Sequence, residues 1–389
     1  MIETSRRMKN LKQGVFALLL DKKNELTNQD MDIIDFSVGT PNIPPTDRVM
    51  QVISDEVKKP ENYIYAIQDS VELTTTVQDW YKVRYGVRLK PEEISTCYGS
   101  QEGLNSALLP FIDEGDCVIL PDPAYPAFTS AANIVGADIY FLPQREENGY
   151  VMDVSEVSEE VANKAKIIIA SYPNNPTTAV ADDTFYISLI AFAKKYDIFV
   201  IHDNAYSELI FDGKVGKSFL AFKGAKDVGV EFNSLSKTYG LAGARIGFYV
   251  GNRDFVSILT NFRSNTNFGM FLPIQKAAIE AITQDQSCVK KTCRAYQDRR
   301  DVMIESFDKI GWKINKSKGS MFVWAKLPKG YTDSFDFAMK LVEKTGVLVV
   351  PGISFGKSGE GHVRFALVAS KKRIKEAAKR IGRSGLLRG

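Results

Sequence analysis

The middle of the chain alternates short runs of apolar and β-branched residues with longer stretches of helical spacing. This alternation predicts a parallel sheet that is covered by helices on both faces. Ligands bind beyond the carboxyl ends of the strands in such sheets, so the polar residues just after each run are candidate site residues. The predicted strands are Cys117–Leu120, Asp138–Leu142, Lys166–Ala170, Ile198–Asp203, Val228–Asn233 and Ile246–Val250.

The pattern changes near residue 280, where a long polar helix is followed by short strands between helices. These predicted strands are Trp312–Ile314, Met321–Lys326, Val347–Val350 and His362–Leu367. At 389 residues, the chain exceeds the usual size of one core. We therefore expect a large domain over residues 41–280 and a smaller α/β domain over residues 281–389, with residues 1–40 packed against the smaller one.

Composition narrows the class of protein. Apolar residues make up 44% of the chain and charged residues 25%, which is typical of a folded soluble protein. The net charge is only +3, and the one strongly basic stretch, Lys371–Arg388, has the spacing of a solvated helix face, so no nucleic-acid partner is expected. The first residues show neither a membrane-spanning run nor a cleavage-site pattern, which favours a cytoplasmic protein without a membrane partner. Four cysteines without CxxC pairing and two histidines give no reason to expect a metal site.

The most informative motif follows the predicted strand Val228–Asn233. Ser234, Ser236 and Lys237 lead into a glycine-containing loop that reaches Arg245. A lysine after a strand is usually a surface residue, but hydroxyls and a guanidinium stand beside this one, and such groups bind phosphate. The segment therefore indicates an anion site next to an amine.

The Ser-x-Ser-Lys motif with an arginine eight residues later resembles the class I and II aminotransferases, which are fold-type I pyridoxal-phosphate enzymes. Further motifs follow in family order across nearly the whole chain. The resemblance implies a large domain with a mostly parallel, seven-stranded-type sheet sandwiched by helices. It also implies pyridoxal 5′-phosphate as the cofactor, carried by Lys237 as an internal aldimine and bound by Ser234, Ser236 and Arg245.

Two motifs match those that hold the cofactor's ring in this family. Asp203 matches the carboxylate that keeps the pyridine nitrogen protonated and so makes the ring an electron sink, although a helix N-cap is its alternative role. Tyr206 and Asn175 match the residues that bond the phenolic oxygen, although Asn-Asn-Pro is also ordinary turn chemistry. The expected catalytic residues are Lys237, Asp203 and Tyr206.

Five further residues complete the expected cavity. Ser100 and Gln101 precede an apolar helical stretch, which is the geometry of an anion at a helix N-terminus. Tyr125 matches the aromatic residue that stacks on the pyridine ring, with simple core packing as its alternative. The substrate is expected to meet Gly39, Asn175 and Arg364, because Arg364 matches the family's carboxylate-binding arginine and Gly39 its closing glycine segment.

The resemblance also implies a homodimer with shared active sites, because a second subunit supplies a tyrosine to the phosphate in this family. Here the chain departs from the family pattern. Asp69 stands where members often have glycine, and neither candidate tyrosine has the commonest spacing. Tyr65 is favoured and Tyr63 stands second. Residues Asn265–Phe271 resemble another family segment that lies close to the partner's cofactor.

The two histidines are expected outside the chemistry. His202 precedes Asp203 on a strand, so its side chain should point to the opposite face as a structural histidine. His362 is expected in an exposed turn.

The sequence thus predicts transamination of an L-amino acid to its 2-oxo acid by ping-pong kinetics, with Lys237 moving the proton. A carbon–sulfur β-lyase on the same scaffold is the alternative. A non-catalytic sensor is disfavoured by Lys237, and a plain nucleotide-binding protein by the absence of GxGxxG and GxxxxGK[ST] motifs. The amino donor and acceptor stay open, since nothing aligns Arg263 with a side-chain carboxylate site. The resemblance of residues 267–271 to one branch of the family slightly favours a polar donor.

Overall fold

The computed structural model describes residues 3–5, 7–8, 11 and 14–387. After a short first strand, β1 (Ile34–Asp35), seven strands form the largest sheet. They are β2 (Ile94–Cys97), β3 (Cys117–Asp122), β4 (Asp138–Pro143), β5 (Ala165–Ser171), β6 (Phe199–Asp203), β7 (Gly229–Ser234) and β8 (Gly247–Gly251). Their spatial order is β2-β8-β7-β6-β5-β3-β4. The five strands from β7 to β4 are parallel, whereas β8 and β2 at the other side pair antiparallel.

All six runs that the sequence predicted as strands in this region are strands, which confirms the α/β class with a mostly parallel sheet. β2 was not predicted, because two of its four residues are polar. Alternate residues of β5 enter different apolar clusters: Ile167 and Ile169 face one side of the sheet, and Ile168 faces the other. Both faces of the sheet are therefore buried under helices, as the near-continuous apolar runs require.

The helices around this sheet connect the strands or cover its faces. They are α2 (Asp47–Glu56), α3 (Val71–Tyr85), α4 (Ser100–Leu108), α5 (Pro126–Val135), α6 (Glu159–Lys164), α7 (Asp183–Tyr196), α8 (Ala225–Val228), α9 (Leu235–Thr238), α10 (Arg253–Ser264) and α11 (Leu272–Thr283). Several begin at polar N-caps. Ser70, Asp182 and Asn252 accept backbone N–H bonds at the starts of α3, α7 and α10, which explains where these helices begin.

The remaining elements build a second apolar core. Three antiparallel strands, β11 (Val350–Pro351), β12 (His362–Ala366) and β9 (Phe322–Lys326), form one sheet, and β1 pairs in parallel with β10 (Val347–Leu348). The helices are α1 (Val15–Thr27), α12 (Ser287–Asp308), α13 (Ser334–Thr345) and α14 (Lys371–Arg383). β1 thus places the N-terminal segment beside the C-terminal strands. The domain boundaries at residues 40 and 280 stay a prediction.

One predicted strand was wrong, and another, Val347–Val350, is divided between β10 and β11 of two different sheets. Trp312–Ile314 forms no strand, and Trp312 instead buries its ring and donates from Nε1 to the carbonyl oxygen of Lys326 at 2.8 Å. The apolar ring of Trp312 therefore packs in the second core and is not part of a sheet. Within the described residues, we find no helix long and apolar enough to cross a bilayer.

Candidate active site

A cavity of about 250 Å³ opens at the carboxyl ends of β5, β6 and β7. Ser171, Asp203 and Ser234, the last residues of these three strands, all line it. Every sequence-predicted site residue except Tyr65 lies on its wall. These residues are Gly39, Ser100, Gln101, Tyr125, Asn175, Asp203, Tyr206, Ser234, Ser236, Lys237, Arg245 and Arg364. Residues separated by more than 300 positions in the sequence thus meet in one cavity.

Lys237 occupies the short helix α9, which begins directly after β7. Its Nζ donates to the carbonyl oxygen of Gly39 at 2.9 Å. Burial, followed by the nearby charges of Arg364 and Arg245, lowers the pKa of Lys237 from 10.5 to about 8. The neutral amine, which is the nucleophilic and basic form, is therefore accessible near physiological pH.

Asp203 ends β6 and faces the cavity as a buried carboxylate. Its Oδ1 accepts a hydrogen bond from the backbone N–H of Ala205 at 3.2 Å. Burial raises the pKa of Asp203 to about 6. This single hydrogen bond among the described residues does not offset the cost of burying a charged carboxylate. A cation beside Asp203 would stabilise the charge, and a protonated ring nitrogen is such a cation.

His202 points away from this cavity. Its Nδ1 lies 3.1 Å from Glu231 Oε2, and both side chains are fully buried. Tyr81 and Ser218 also donate to the Glu231 carboxylate, at 2.8 and 2.9 Å. This arrangement agrees with the interpretation of His202 as a structural histidine on the opposite face of the strand.

An anion-binding corner lies where α4 begins. Gly99, with φ +82°, is the N-cap of α4, and a Cβ at this position would collide with the guanidinium of Arg245. Arg245 is held there by donating to the carbonyl oxygens of Ala242 and Tyr98 at 2.9 and 3.1 Å. The helix N-terminus at Ser100 and the guanidinium therefore converge on one point, which suits a phosphate.

Other parts of the wall carry aromatic and amide groups. Tyr125 donates from its hydroxyl to Gln101 Oε1 at 2.8 Å. Burial raises the pKa of Tyr206, so its phenol stays protonated and can donate a hydrogen bond. Asn175 accepts from Arg364 through Oδ1, which leaves its amide N–H groups available to another acceptor.

Arg364 is fully buried on β12 and bounds the cavity on the side of the second core. Its Nη1 donates to Asn175 Oδ1 at 2.8 Å and its Nη2 to the carbonyl oxygen of Ser37 at 2.6 Å. Nε has no hydrogen-bond partner within the described residues. Burial lowers the pKa of this guanidinium to about 10. A buried cation in this state is stabilised by an anion, and a carboxylate matches its planar geometry.

These residues fit pyridoxal phosphate. The cavity presents a buried amine, a buried carboxylate, an anion-binding corner and a buried guanidinium whose Nε has no hydrogen-bond partner within the described residues, and each matches one chemical group of the cofactor or of an amino acid. Ser234 and Ser236 lie beside Lys237, where the Ser234 hydroxyl accepts from the backbone N–H of Ser236 at 3.2 Å.

Two predicted positions differ from the rest. Tyr65 lies outside the cavity and is 75% exposed. The prediction of an exposed turn for His362 was wrong, because His362 is the first residue of β12 and is partly buried. It stacks on Trp324 at 4.9 Å, and its Nε2 lies 3.1 Å from the hydroxyl of Tyr150. The other four residues of β12 are buried, so a position on this strand is only partly open to solvent.

The wall also contains residues that the sequence did not indicate. They are Phe16, Val38, Thr40, Ser171, Ala205 and Phe322. Val38 and Thr40 flank the predicted Gly39, so adjacency was the only local signal for them. Arg263 lies outside the wall: it donates to the carbonyl oxygen of Thr96 and its Nε is 3.6 Å from Glu102 Oε1.

A parallel sheet with this set of groups beyond its carboxyl ends defines a pyridoxal-phosphate enzyme that handles amino acids. A sequence model of the family described as aminotransferase class I and II matches residues 31–381, and the chain belongs to that family. The protein is a pyridoxal-phosphate-dependent aminotransferase.

Individual relatives agree with this assignment. The chain is 39% identical to the LL-diaminopimelate aminotransferase of Moorella thermoacetica, over 98% of each chain. It is 40% identical to the enzyme of the same name from Aquifex aeolicus, over 98% of this chain and 99% of that one. A substrate-bound structure of BacF from Bacillus subtilis superimposes with a TM-score of 0.97 at 33% identity, covering 100% of this chain and 99% of BacF.

Proposed function

We propose that the cavity around Lys237 performs the transamination and that the residues on its wall have the roles given below. The observation that carries the proposal is the position of the Lys237 amine. It belongs to the cavity wall, with its pKa lowered to about 8 by burial and by Arg364 and Arg245. A base near neutral pKa is what proton transfer at the substrate Cα requires.

Each wall residue then has a separate task. Arg364 binds the α-carboxylate of the amino acid and, together with Asn175, orients Cα toward Lys237. Pyridoxal phosphate, when bound, supplies an electron sink for the negative charge that develops on Cα. Asp203 would hold the proton on the ring nitrogen of the bound cofactor, and Lys237 Nζ would be the base that takes up the Cα proton and passes it on.

The remaining residues hold the cofactor. Tyr125 would stack on the ring, whereas Tyr206 and Asn175 would donate to its phenolic oxygen. The phosphate binds at the N-terminus of α4 with Ser100 and Gln101. Ser234, Ser236 and Arg245 bind it from the other side.

For the amino donor, we propose LL-diaminopimelate as the first compound to test, because the curated relatives carry that name. Ping-pong kinetics are expected, since one cavity must serve the donor and then the 2-oxo acid acceptor. The test combines a panel of amino donors with 2-oxoglutarate and pyruvate, and it follows the absorbance of the bound cofactor. If no donor converts the cofactor to its pyridoxamine form, the proposal is wrong.

The named relatives are aminotransferases, which leaves the carbon–sulfur lyase without support. The same preparation tests this directly. Release of pyruvate and ammonia from cystathionine without any 2-oxo acid would indicate lyase chemistry, and we expect none.

A homodimer is also part of the proposal. Tyr65 and Ile64 belong to an exposed apolar patch, being 75% and 67% exposed, and Phe268 packs on Tyr65 with ring centroids 4.8 Å apart. Such a patch on a globular protein marks an interaction surface. Its other members are Tyr63, Ile67, Val71 and Phe271.

The hydroxyl groups distinguish the two candidate tyrosines. Tyr63 donates to the carbonyl oxygen of Val57 at 2.7 Å. The Tyr65 hydroxyl makes no hydrogen bond within the described part of the chain, so it is free to reach a partner's phosphate. We therefore propose Tyr65 for this role. A cytoplasmic location is proposed on the four cysteines, all of which are free.

A further inference from the structure

A polar cluster lies on the face of β6 and β7 that points away from the cavity. At its centre is Glu231 of β7, whose side chain is fully buried. Its Oε1 accepts hydrogen bonds from the hydroxyls of Tyr81 and Ser218 at 2.8 and 2.9 Å. Its Oε2 accepts from the backbone N–H of Phe219 at 2.8 Å and lies 3.1 Å from Nδ1 of His202. The carboxylate is therefore held at both of its oxygens.

These partners of Glu231 come from both ends of one chain segment. Residues 204–217 follow β6 and contain neither a helix nor a strand. His202 lies two residues before the segment, and Ser218 and Phe219 directly follow it. Glu231 therefore attaches both ends of the segment to β7. Hydrogen bonds to a charged group are stronger than those between neutral groups, so this attachment is a firm one.

The two limbs of this segment also lie against each other. The side-chain amide of Asn204 donates to the carbonyl oxygen of Lys217 at 3.2 Å. A Cβ at Gly216 would collide with the carbonyl oxygen of Ser207, so only glycine permits this close approach. Residues 204–217 are therefore a closed loop, in which a displacement at the far end also moves the first residues.

The first residues of this loop belong to the active site. Ala205 and Tyr206 line the cavity, and the backbone N–H of Ala205 donates to Asp203 Oδ1 at 3.2 Å. In the proposed function, Asp203 holds the proton on the ring nitrogen and Tyr206 donates to the phenolic oxygen. Both interactions need accurate placement, because a hydrogen bond weakens steeply once its distance or angle departs from the preferred range.

We propose that Glu231 is a positioning residue for the cofactor: it holds both ends of the loop 204–217 and thereby places Asp203 and Tyr206 against the ring. This inference rests on the proposed function, because it assumes the roles given there to these two residues. Glu231 is absent from the cavity wall, so it acts through its hydrogen bonds to the loop.

Two partners of the same carboxylate oxygen provide a matched pair of variants. Ser218→Ala removes a hydrogen bond that holds the loop, whereas Tyr81→Phe removes one that comes from α3, outside the loop. Both side chains are fully buried. Each variant should therefore lose stability by a similar amount in thermal unfolding, whereas only Ser218→Ala should disturb the cofactor.

The absorbance of the bound cofactor, followed as the pH is changed, gives a readout that a purely structural role would not move. The midpoint of this titration depends on the hydrogen bond that stabilises the negative phenolic oxygen. Ser218→Ala should raise the midpoint by up to about one pH unit, which corresponds to the loss of one hydrogen bond to a charged group. Tyr81→Phe should leave the midpoint at its native value.

Variants of Glu231 itself separate hydrogen bonding from charge. In Glu231→Gln, the amide N–H groups can donate to the hydroxyls of Tyr81 and Ser218, while the remaining oxygen still accepts from Phe219. The midpoint should therefore stay near its native value. Glu231→Met has a side chain of similar length without an acceptor for these donors, and it should raise the midpoint at least as far as Ser218→Ala. If Glu231→Met does not fold, the pair Ser218→Ala and Tyr81→Phe decides the question.

Hydrogen exchange of the cofactor-free protein tests the loop directly. Backbone amides of residues 204–217 should exchange faster in Ser218→Ala than in Tyr81→Phe, because only the first variant releases an end of the loop. Equal exchange of this segment in the two variants would show that Glu231 does not hold it, and the inference would be wrong.

Tyr206→Phe distinguishes a failure of this inference from a failure of the proposed function. It removes the donor to the phenolic oxygen and should raise the midpoint. If it does so while Ser218→Ala and Tyr81→Phe share the native midpoint, the inference is overturned and the proposed function stands. An unchanged midpoint in Tyr206→Phe would instead contradict the role proposed for Tyr206, and the inference would fall with it.

Discussion

The Lys237 amine is the group whose chemistry depends most directly on its surroundings. Because its pKa is about 8 instead of 10.5, the neutral form dominates above pH 8. We expect the rate at which cofactor-free protein captures pyridoxal phosphate covalently to rise with pH and to level off above about 8. Stopped-flow absorbance between pH 6 and pH 10 measures this rate. A rate that still climbs steadily toward pH 10 would mean that the burial and charges around Lys237 do not act as described.

Asp203 permits a test that separates function from folding. Asp203→Asn removes the anion that holds the proton on the ring nitrogen, so kcat should fall by about 10²–10⁴-fold. The pKa of Asp203 is raised to about 6, above its usual 3.8, so the ionised carboxylate is disfavoured in the folded state at higher pH. The cofactor-free variant should therefore be at least as stable as the native protein at pH 8, as measured by thermal unfolding.

The control for this substitution is Asp182→Asn. Asp182 caps α7 and is absent from the cavity wall, and asparagine caps a helix equally well. Its kcat should be unchanged. If Asp203→Asn kept the native kcat, Asp203 would not be a catalytic residue.

At the scale of elements, α12 is tied to the loop after Tyr206 by one buried guanidinium. Arg300 of α12 is fully buried and donates from Nη1 and Nη2 to the two carboxylate oxygens of Asp212, both at 2.8 Å. It also donates to the carbonyl oxygen of Ser317 at 2.8 Å. These bonds lower the pKa of Asp212 to about 2. A helix of the second core is thereby joined to the chain that leaves β6.

Asp212→Asn should therefore lower the free energy of unfolding at pH 7 by about 1 kcal/mol, a figure that allows for solvent screening because Asp212 is 40% exposed. The folded-state pKa lies below the unfolded one, so this stabilisation is present above pH 4 and is lost as pH falls toward 2. The difference between variant and native protein should shrink over that range in urea titrations. Asp254→Asn, at an ion pair that is largely exposed, should change stability very little at any pH.

Across the whole molecule, the sequence predicted best the strands and site residues that are determined by neighbouring residues in the chain. β6 begins with the apolar residues Phe199–Ile201, β7 has apolar residues at Val230 and Phe232, and the motifs at their ends carry Asp203 and Lys237, so both the strands and the cavity residues could be predicted. β2 was not predicted, because the polar Thr96 within it finds its hydrogen-bond partner far along the chain. Asp69, 27 residues away, accepts from the Thr96 backbone N–H at 2.8 Å.

Phe16 escaped prediction for a related reason. Its contact with Arg364 joins residues almost 350 positions apart, and nothing in the residues around Phe16 signals it. Asp69 shows the reverse case, in which a departure from the family pattern has a structural role: its carboxylate also accepts from the Thr96 hydroxyl at 2.5 Å and fixes the segment that carries Tyr65. Local patterns specify elements, whereas such long-range pairs appear only once the chain is folded.

The proposed shared active site can be tested by mixing two defective proteins. Lys237→Ala should be inactive, and Tyr65→Ala should be strongly impaired if Tyr65 binds the partner's phosphate. A mixed dimer would then hold one intact site, in which Lys237 and Tyr65 come from different subunits. Random mixing makes half of the dimers mixed, with one of their two sites intact, so activity should recover to about a quarter of the native value.

The control pairs Lys237→Ala with Asp203→Asn. Both residues line the cavity of one chain, so each site of a mixed dimer keeps one defect and activity should not return. Activity measured after co-refolding, with light scattering to establish the dimer, gives both results. Recovery in the first mixture alone would place Tyr65 across the interface. No recovery in either mixture, with dimers present, would mean that each subunit completes its own cavity and that the exposed patch at Tyr65 has another role.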